Sequence, residues 1–144
     1  GYTAANSVGG VADAWDQPLA GSFNQLKQLK AKNPQLRALI SIGGWTWSKN
    51  FSRAAATQAS REKLVSSCID LYIKGNLPVI DGRGGPGAAA GVFDGIDIDW
   101  EWPGSNNGEV GNSVDPVNDR ENFRLLLAEF RKQLDAYGAQ TGKH

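Results

Sequence analysis

Methionine is absent from this 144-residue sequence, which opens Gly1-Tyr2, and the combination points to a processed, excised or incompletely determined chain. Cysteine occurs once, at Cys68, so no internal disulfide framework can be drawn, and a lone thiol within a helical pattern reads as a small buried group. An excess of charge is lacking too. The 15 basic and 15 acidic residues cancel, and the Lys and Arg between Lys27 and Lys143 form no dense block, so neither nucleic acid nor a membrane is an expected partner. No apolar run reaches the ~20 residues of a spanning helix. No basic segment followed by an apolar core stands at the amino end to act as a secretion signal. With 40% hydrophobic content, 144 residues suit one modest domain.

What is present alternates between two periodicities. Residues 1–21 are small and polar and read as loop. Phe23, Leu26 and Leu29 then mark a helix over 22–32, stopped at Asn33-Pro34 because the proline ring disfavours helical geometry before it. Residues 36–42 supply Leu36, Ala38, Leu39, Ile40 and Ile42, a nearly continuous run expected of a strand covered on both faces. Gly43-Gly44 ends it, and Trp45, Trp47 and Phe51 follow in a loop, where burial alone gives them little reason to be and a binding surface is one explanation. Leu64, Val65, Cys68, Ile69, Leu71, Tyr72 and Ile73 recur at helical spacing over 58–74, with Gly75 as the terminating left-handed residue. Residues 76–91 read as a flexible connector. Its glycine-rich run 82–87 is no phosphate loop, because it precedes a strand instead of joining one to a helix and holds Pro86 where amide donors are needed. A second strand is expected over 93–102, a polar loop over 104–115, and a helix from near Asp119. There Phe123, Leu126, Leu127, Phe130, Leu134 and Tyr137 form one stripe, and Gly138 stands past the end. Alternation of helix and strand implies an α/β fold with a parallel sheet, either doubly wound or closed into a barrel.

The chemistry concentrates in the second strand. In Asp94-Gly95-Ile96-Asp97-Ile98-Asp99-Trp100-Glu101, the alternation sets Ile96, Ile98 and Trp100 on one face and Asp97, Asp99 and Glu101 on the other. Alternate residues lie about 6.6 Å apart at Cα, close enough for adjacent acids to hydrogen-bond or share a proton. Like charges so placed raise the pKa of at least one member, which keeps a carboxyl protonated for use as an acid. The bland alternative is a solvated strand face. A calcium loop is excluded by Trp102 at the position where such a loop needs glycine. Asp94 is off this face and is expected to support the start of the strand. Glu101 is at the carboxyl end, where parallel α/β folds put their ligands. Trp45, Trp47 and Trp102 are expected at that same end, where aromatic faces can stack on sugar rings, the alternative for each being a packed core tryptophan.

These residues resemble glycoside hydrolase family 18, and within it the secreted bacterial chitinases. Asp94, Asp97, Asp99 and Glu101 match the family's D-x-x-D-x-D-x-E signature on the fourth barrel strand. Ser41, Gly43 and Gly44 match its S-x-G-G signature on the third, and the likeness covers most of the chain. The resemblance implies a partial (β/α)8 TIM barrel containing the third and fourth strands with adjacent helices, residues 1–144 being a fragment of a single catalytic domain. It implies hydrolysis of β-1,4 bonds between N-acetylglucosamine units of chitin with retention, assisted by the substrate's acetamido group. In that scheme Glu101 is the general acid and base, Asp99 orients the acetamido group, and Asp97 exchanges a proton with Asp99. Asp94, Ser41, Gly43 and Gly44 support the site, while Trp45, Trp47 and Trp102 bind sugar. The implied partners are chitin and chitooligosaccharides, with no cofactor and no metal. The parent enzyme is expected to be a secreted monomer. No counterpart can be assigned for the tyrosine and subsite tryptophan that the family carries on later strands. A non-catalytic lectin, an endo-β-N-acetylglucosaminidase and a purely structural fragment are the rival functions, and the presence of Glu101 favours the hydrolase.

Overall fold

The computed structural model describes residues 2–143. A 3-10 turn, Ala4–Asn6, is followed by α1 (Gly21–Lys32), β1 (Leu39–Gly43), α2 (Phe51–Ala55) and α3 (Gln58–Cys68), which runs on into a π-helical turn, Ile69–Ile73. Then come β2 (Leu77–Ile80), β3 (Arg83–Gly85), β4 (Gly95–Asp99) and α4 (Asp119–Thr141). The α/β class expected from the alternating pattern is present. β1 and β4 form a two-stranded sheet. Asp94 N–H donates to the Ala38 carbonyl at 2.8 Å before the strands and Gly44 N–H donates to the Asp99 carbonyl at 2.7 Å after them. Residue numbers rise together along both strands, so the pair is parallel.

The elements group into two compact units, one running to Ile40 and including Asp70–Ile96, the other made of Ser41–Ile69 and the chain from Asp97 onward. In the first, Phe93 is the packing centre: Phe23 meets it edge-on at 5.0 Å and Tyr72 at 6.1 Å. Buried Leu19, Ala89 and Val92 complete this core. Helix α1 lacks a capping side chain at Ala20, and the Asp13 carboxylate supplies one from outside by accepting from Gly21 N–H at 2.9 Å. That bond, more than any other influence, holds the Asp13 carboxyl below its ordinary value. The helix ends at Asn33, as the following proline requires.

Residues 76–91 are not the flexible connector that their glycines suggest. β2 and β3 pair antiparallel, with Ile80 opposite Arg83 across the two-residue loop Asp81-Gly82. Both loop residues have positive φ, 51° and 77°, the requirement of a tight hairpin turn that favours Asp-Gly. The Arg83 guanidinium donates to the carbonyls of Ala14 and Trp15 and lies 5.8 Å from the Trp15 ring centroid, tying the hairpin to the amino-terminal loop.

In the second unit Trp100 is stacked on Phe51 at 5.5 Å and met edge-on by Phe123 at 5.3 Å. Around this aromatic group α4 packs on α2 and α3, burying Leu126 and Phe130. Thr57 caps α3, its hydroxyl accepting from Ser60 N–H at 3.1 Å. Cys68 is buried, as the lone thiol suggested, and burial pushes its pKa up to about 11.

Several expectations need correction. Phe51, expected in the aromatic loop with Trp45 and Trp47, is instead buried at the start of α2. Strand β1 starts at Leu39 instead of Leu36 and is not covered on both faces: Leu39 is 62% exposed, because β4 is its sole strand neighbour among the described residues. Gly138 does not end the last helix but is buried within it. The stop is Gly142, whose φ of 70° gives the left-handed cap and whose N–H returns to the Gly138 carbonyl. Leu127, placed on the buried stripe by its spacing, is at the edge of that stripe and half exposed.

The contrast between neighbouring leucines of α4 is testable. Leu126 is fully buried and Leu127 is 45% exposed. Leu126→Ala should lower stability by about 2 to 5 kcal/mol, whereas Leu127→Ala should cost under about 1 kcal/mol. Chemical denaturation of the two variants, finding equal losses, would contradict this packing.

Candidate active site

The ordinary extension of β4 carries Asp97 and Asp99 on the same side of the strand, and each acid of the motif meets a different partner. Asp94, before the strand, accepts from Lys30 Nζ at 2.7 Å and from Ala38 N–H at 2.8 Å. Partial burial works to raise its pKa, but the Lys30 hydrogen bond and charge and the Ala38 amide outweigh it, leaving the carboxyl below its ordinary value. Asp94 therefore joins α1, the approach to β1 and the approach to β4, a supporting place. Asp97 accepts from the Ser41 hydroxyl at 2.8 Å, so the serine of the S-x-G-G motif reaches the middle acid directly across the two strands.

Gly43 and Gly44 have φ of 114° and 80°. A Cβ on Gly43 would collide with the Asp99 carbonyl and the Phe51 ring, whereas one on Gly44 would stand 3.7 Å from Asp99 Oδ2. The first glycine permits close approach of the backbones, and the second takes a positive φ that a side chain would strain. Beyond the strand, the Glu101 carboxyl interacts with the Asp99 side chain. Desolvation first, then the Asp99 charge and its side-chain hydrogen bond, raise the Glu101 pKa from its ordinary value. The proton on Glu101 is therefore held more tightly than on an ordinary glutamate.

The peptide joining Glu101 to Trp102 is cis. Trp45, Trp47 and Trp102 are 48%, 81% and 47% exposed, which removes the core reading for all three. Each follows the carboxyl end of β1 or β4, as expected from the sequence. On the far face, Ile96 and Ile98 are half-buried, and Trp100 is the buried residue of that row. Among the described residues no group of three or more His, Cys, Asp or Glu is arranged to hold a metal ion.

Three polar residues near the site escaped the sequence reading. Ser48, fully buried, accepts from Glu101 N–H at 2.9 Å. Asn112 donates from Nδ2 to the Glu101 carbonyl at 3.0 Å. Asp119, also fully buried, accepts from the Ser52 hydroxyl at 2.6 Å and from the N–H groups of Gly104 and Asp115 at 3.0 and 2.9 Å. Asp119 was visible as a helix start and Asn112 as a loop residue. Ser48 was hidden by the tryptophans around it, and no local pattern distinguishes a serine that will be buried.

Two titrations follow. Asp99→Asn keeps the shape but removes the charge, so the Glu101 pKa should fall yet stay above its ordinary value because desolvation persists. Carboxyl-carbon NMR of the variant reads this, and an unchanged Glu101 pKa would remove Asp99 as a cause. For Asp94 the folded pKa is depressed, so its stabilising effect is complete above the unfolded value of about 3.9 and is lost as pH falls through the folded value. The stability deficit of Asp94→Asn should accordingly be present at neutral pH and narrow in strong acid. Denaturation midpoints with a gap independent of pH would refute the ion pair.

The family model of glycosyl hydrolases family 18 matches residues 2–144. The chain is 47% identical over 133 residues to chitinase A1 of Niallia circulans and 45% identical over 132 residues to chitinase C of Streptomyces lividans. Each match takes in 92% of this chain but only 16% and 18% of the relative. Among solved structures, the catalytic domain of psychrophilic chitinase B from Arthrobacter TAD20 superposes with a TM-score of 0.96 at 77% identity, over 99% of this chain and 33% of that one. Chitinase ChiA74 from Bacillus thuringiensis gives 0.70 at 40% identity, over 86% of this chain and 17% of that one. The chain thus spans about a sixth of the length of these curated relatives and has the fold of part of a chitinase catalytic domain. With the family model covering nearly every residue and the paired strands carrying both family motifs, this chain belongs to glycosyl hydrolases family 18.

Proposed function

We propose that the protein is a chitinase that cleaves β-1,4 bonds between N-acetylglucosamine units with retention of configuration, and that this chain is part of its single catalytic domain. The observation that supports the reading is the Glu101–Asp99 pair at the carboxyl end of β4, where desolvation and the neighbouring acid raise the pKa of Glu101. Glu101 delivers its proton to the glycosidic oxygen as the bond to the anomeric carbon breaks. The carbonyl oxygen of the substrate's acetamido group forms the replacing bond to that carbon, and Asp99 orients the group and stabilises the positive charge developing on it. Glu101, now a carboxylate, takes a proton from water in the second step. The hydroxide so formed attacks the anomeric carbon from the original side and releases the acetamido group.

In this scheme Asp97, held by Ser41, exchanges a proton with Asp99, and Asp94 keeps the start of the strand in place. Gly43 and Gly44 allow the two strands to meet. Trp45, Trp47 and Trp102 offer exposed indole faces to successive sugars, which suits a long polymer better than a compact glycan. No cofactor enters any step. Chitin is insoluble, so the protein acts outside the cell, and it does so as a monomer.

Glu101→Gln in the full-length protein keeps the shape of the side chain but has no proton to give. Turnover of a fluorogenic chitobioside should fall by roughly 10²- to 10⁴-fold, with chitooligosaccharide affinity by calorimetry nearly unchanged. Near-normal turnover would take the acid role away from Glu101.

A further inference from the structure

Glu101 is two residues beyond the end of β4, past the last backbone bond between the strands, from Gly44 N–H to the Asp99 carbonyl. A backbone amide in that position has no ladder partner, and one withdrawn from water without a partner is costly. The Ser48 hydroxyl takes the place of the missing rung. Its oxygen accepts from Glu101 N–H at 2.9 Å, and its proton is directed to the Gly44 carbonyl at 2.7 Å, with the Asp99 carbonyl next nearest at 3.1 Å. Ser48 is itself completely buried, and its carbonyl accepts from Phe51 N–H at the start of α2. Ser48 is thus joined through its backbone to the start of α2. On its other side the Glu101 carbonyl accepts from Asn112 Nδ2 at 3.0 Å, and Gly108 approaches the same carbonyl so closely that a Cβ there would collide with it.

We propose that Ser48, seconded by Asn112, is a positioning residue that clamps the Glu101 backbone so that its carboxyl is held against Asp99. The proposal rests on the reading of Glu101 as the acid. Neither clamp residue touches the reacting atoms in this scheme: each acts through the Glu101 peptide. A side chain carried by a loose peptide loses the fixed distance to Asp99, and a misplacement of about 1 Å is enough to cost about 10²-fold in rate. It also loses the field and the hydrogen bond by which Asp99 raises its pKa, so the proton leaves at lower pH. Asp99 is the ionisable group that acts on Glu101, and the clamp residues are uncharged, so the shift has a single charged source.

The test compares Ser48→Ala and Asn112→Ala with Glu101→Gln in the full-length protein, on a soluble chitooligosaccharide. For Ser48→Ala the expected result is a kcat lower by roughly 10- to 100-fold with KM changed by less than about threefold. The alkaline limb of the pH profile should move to lower pH, because Glu101 must be protonated to act. Asn112→Ala, at a half-buried position, should show the same direction with a smaller change. It decides the matter if Ser48→Ala does not fold. Unchanged kcat, or a lower kcat with an unmoved alkaline limb, in folded variants overturns the positioning role. Full activity in Glu101→Gln overturns the acid assignment instead, whatever the clamp variants do.

Discussion

Two backbones meet at the ends of β1 and β4 with no room for a side chain between them. The Asp99 carbonyl occupies the place where a Cβ on Gly43 would be, and the same carbonyl receives Gly44 N–H. The remaining geometry of the second unit depends on this closeness. It lets the chain leave β1 in a turn that brings the Ser48 hydroxyl under Glu101, and it carries Trp45 and Trp47 outward into solvent. Trp100, pinned between Phe51 and Phe123, holds the other side of the same strand end. A larger residue at Gly43 would separate the strands, and the hydroxyl, the carboxyl pair and the aromatic surface would all move with it.

The acids of β4 have nearly the same chemistry and very different surroundings. Asp94 is held as an anion by Lys30 and a backbone amide. Asp97 is occupied by Ser41, and Glu101 is driven toward its protonated form by desolvation and by Asp99. Two-residue spacing brings carboxylates to one side of a strand, but it does not say which will keep its proton. For Asp94 and Asp97 the surroundings come from α1 and β1, far from the motif in sequence, whereas for Glu101 they come from burial and from Asp99 within it.

Legibility followed the range of the forces involved. The stop of α1 at Asn33 was readable because proline acts on its immediate neighbour. The hairpin of β2 and β3 carried a local signal as well, Asp81-Gly82 between Ile80 and Arg83, yet the surrounding glycines masked it. The end of α4 was misplaced by one turn because either Gly138 or Gly142 can close a helix, and Gly138 is buried within a helix that continues to Thr141. The faces of β1 were misjudged because an apolar run records what a strand is fit to be packed against, whereas Leu39 shows what is beside it among the described residues.

By itself the sequence determined the α/β class, the two motif strands, the side of β4 that bears the acids and the position of three tryptophans after the strand ends, whose exposure only the structure decided. These depend on backbone periodicity and on glycine and proline sterics, which are local. Only the tertiary structure decided that Ser41 reaches Asp97, that Ser48 and Asn112 take the two backbone groups of Glu101, and that Asp119 ties Ser52 to Gly104. Each of these bonds joins residues distant along the chain, and a hydroxyl or amide side chain has no periodicity to announce its partner. What selects it is the free-energy cost of a buried polar group left alone, which exists only once the chain has folded around it.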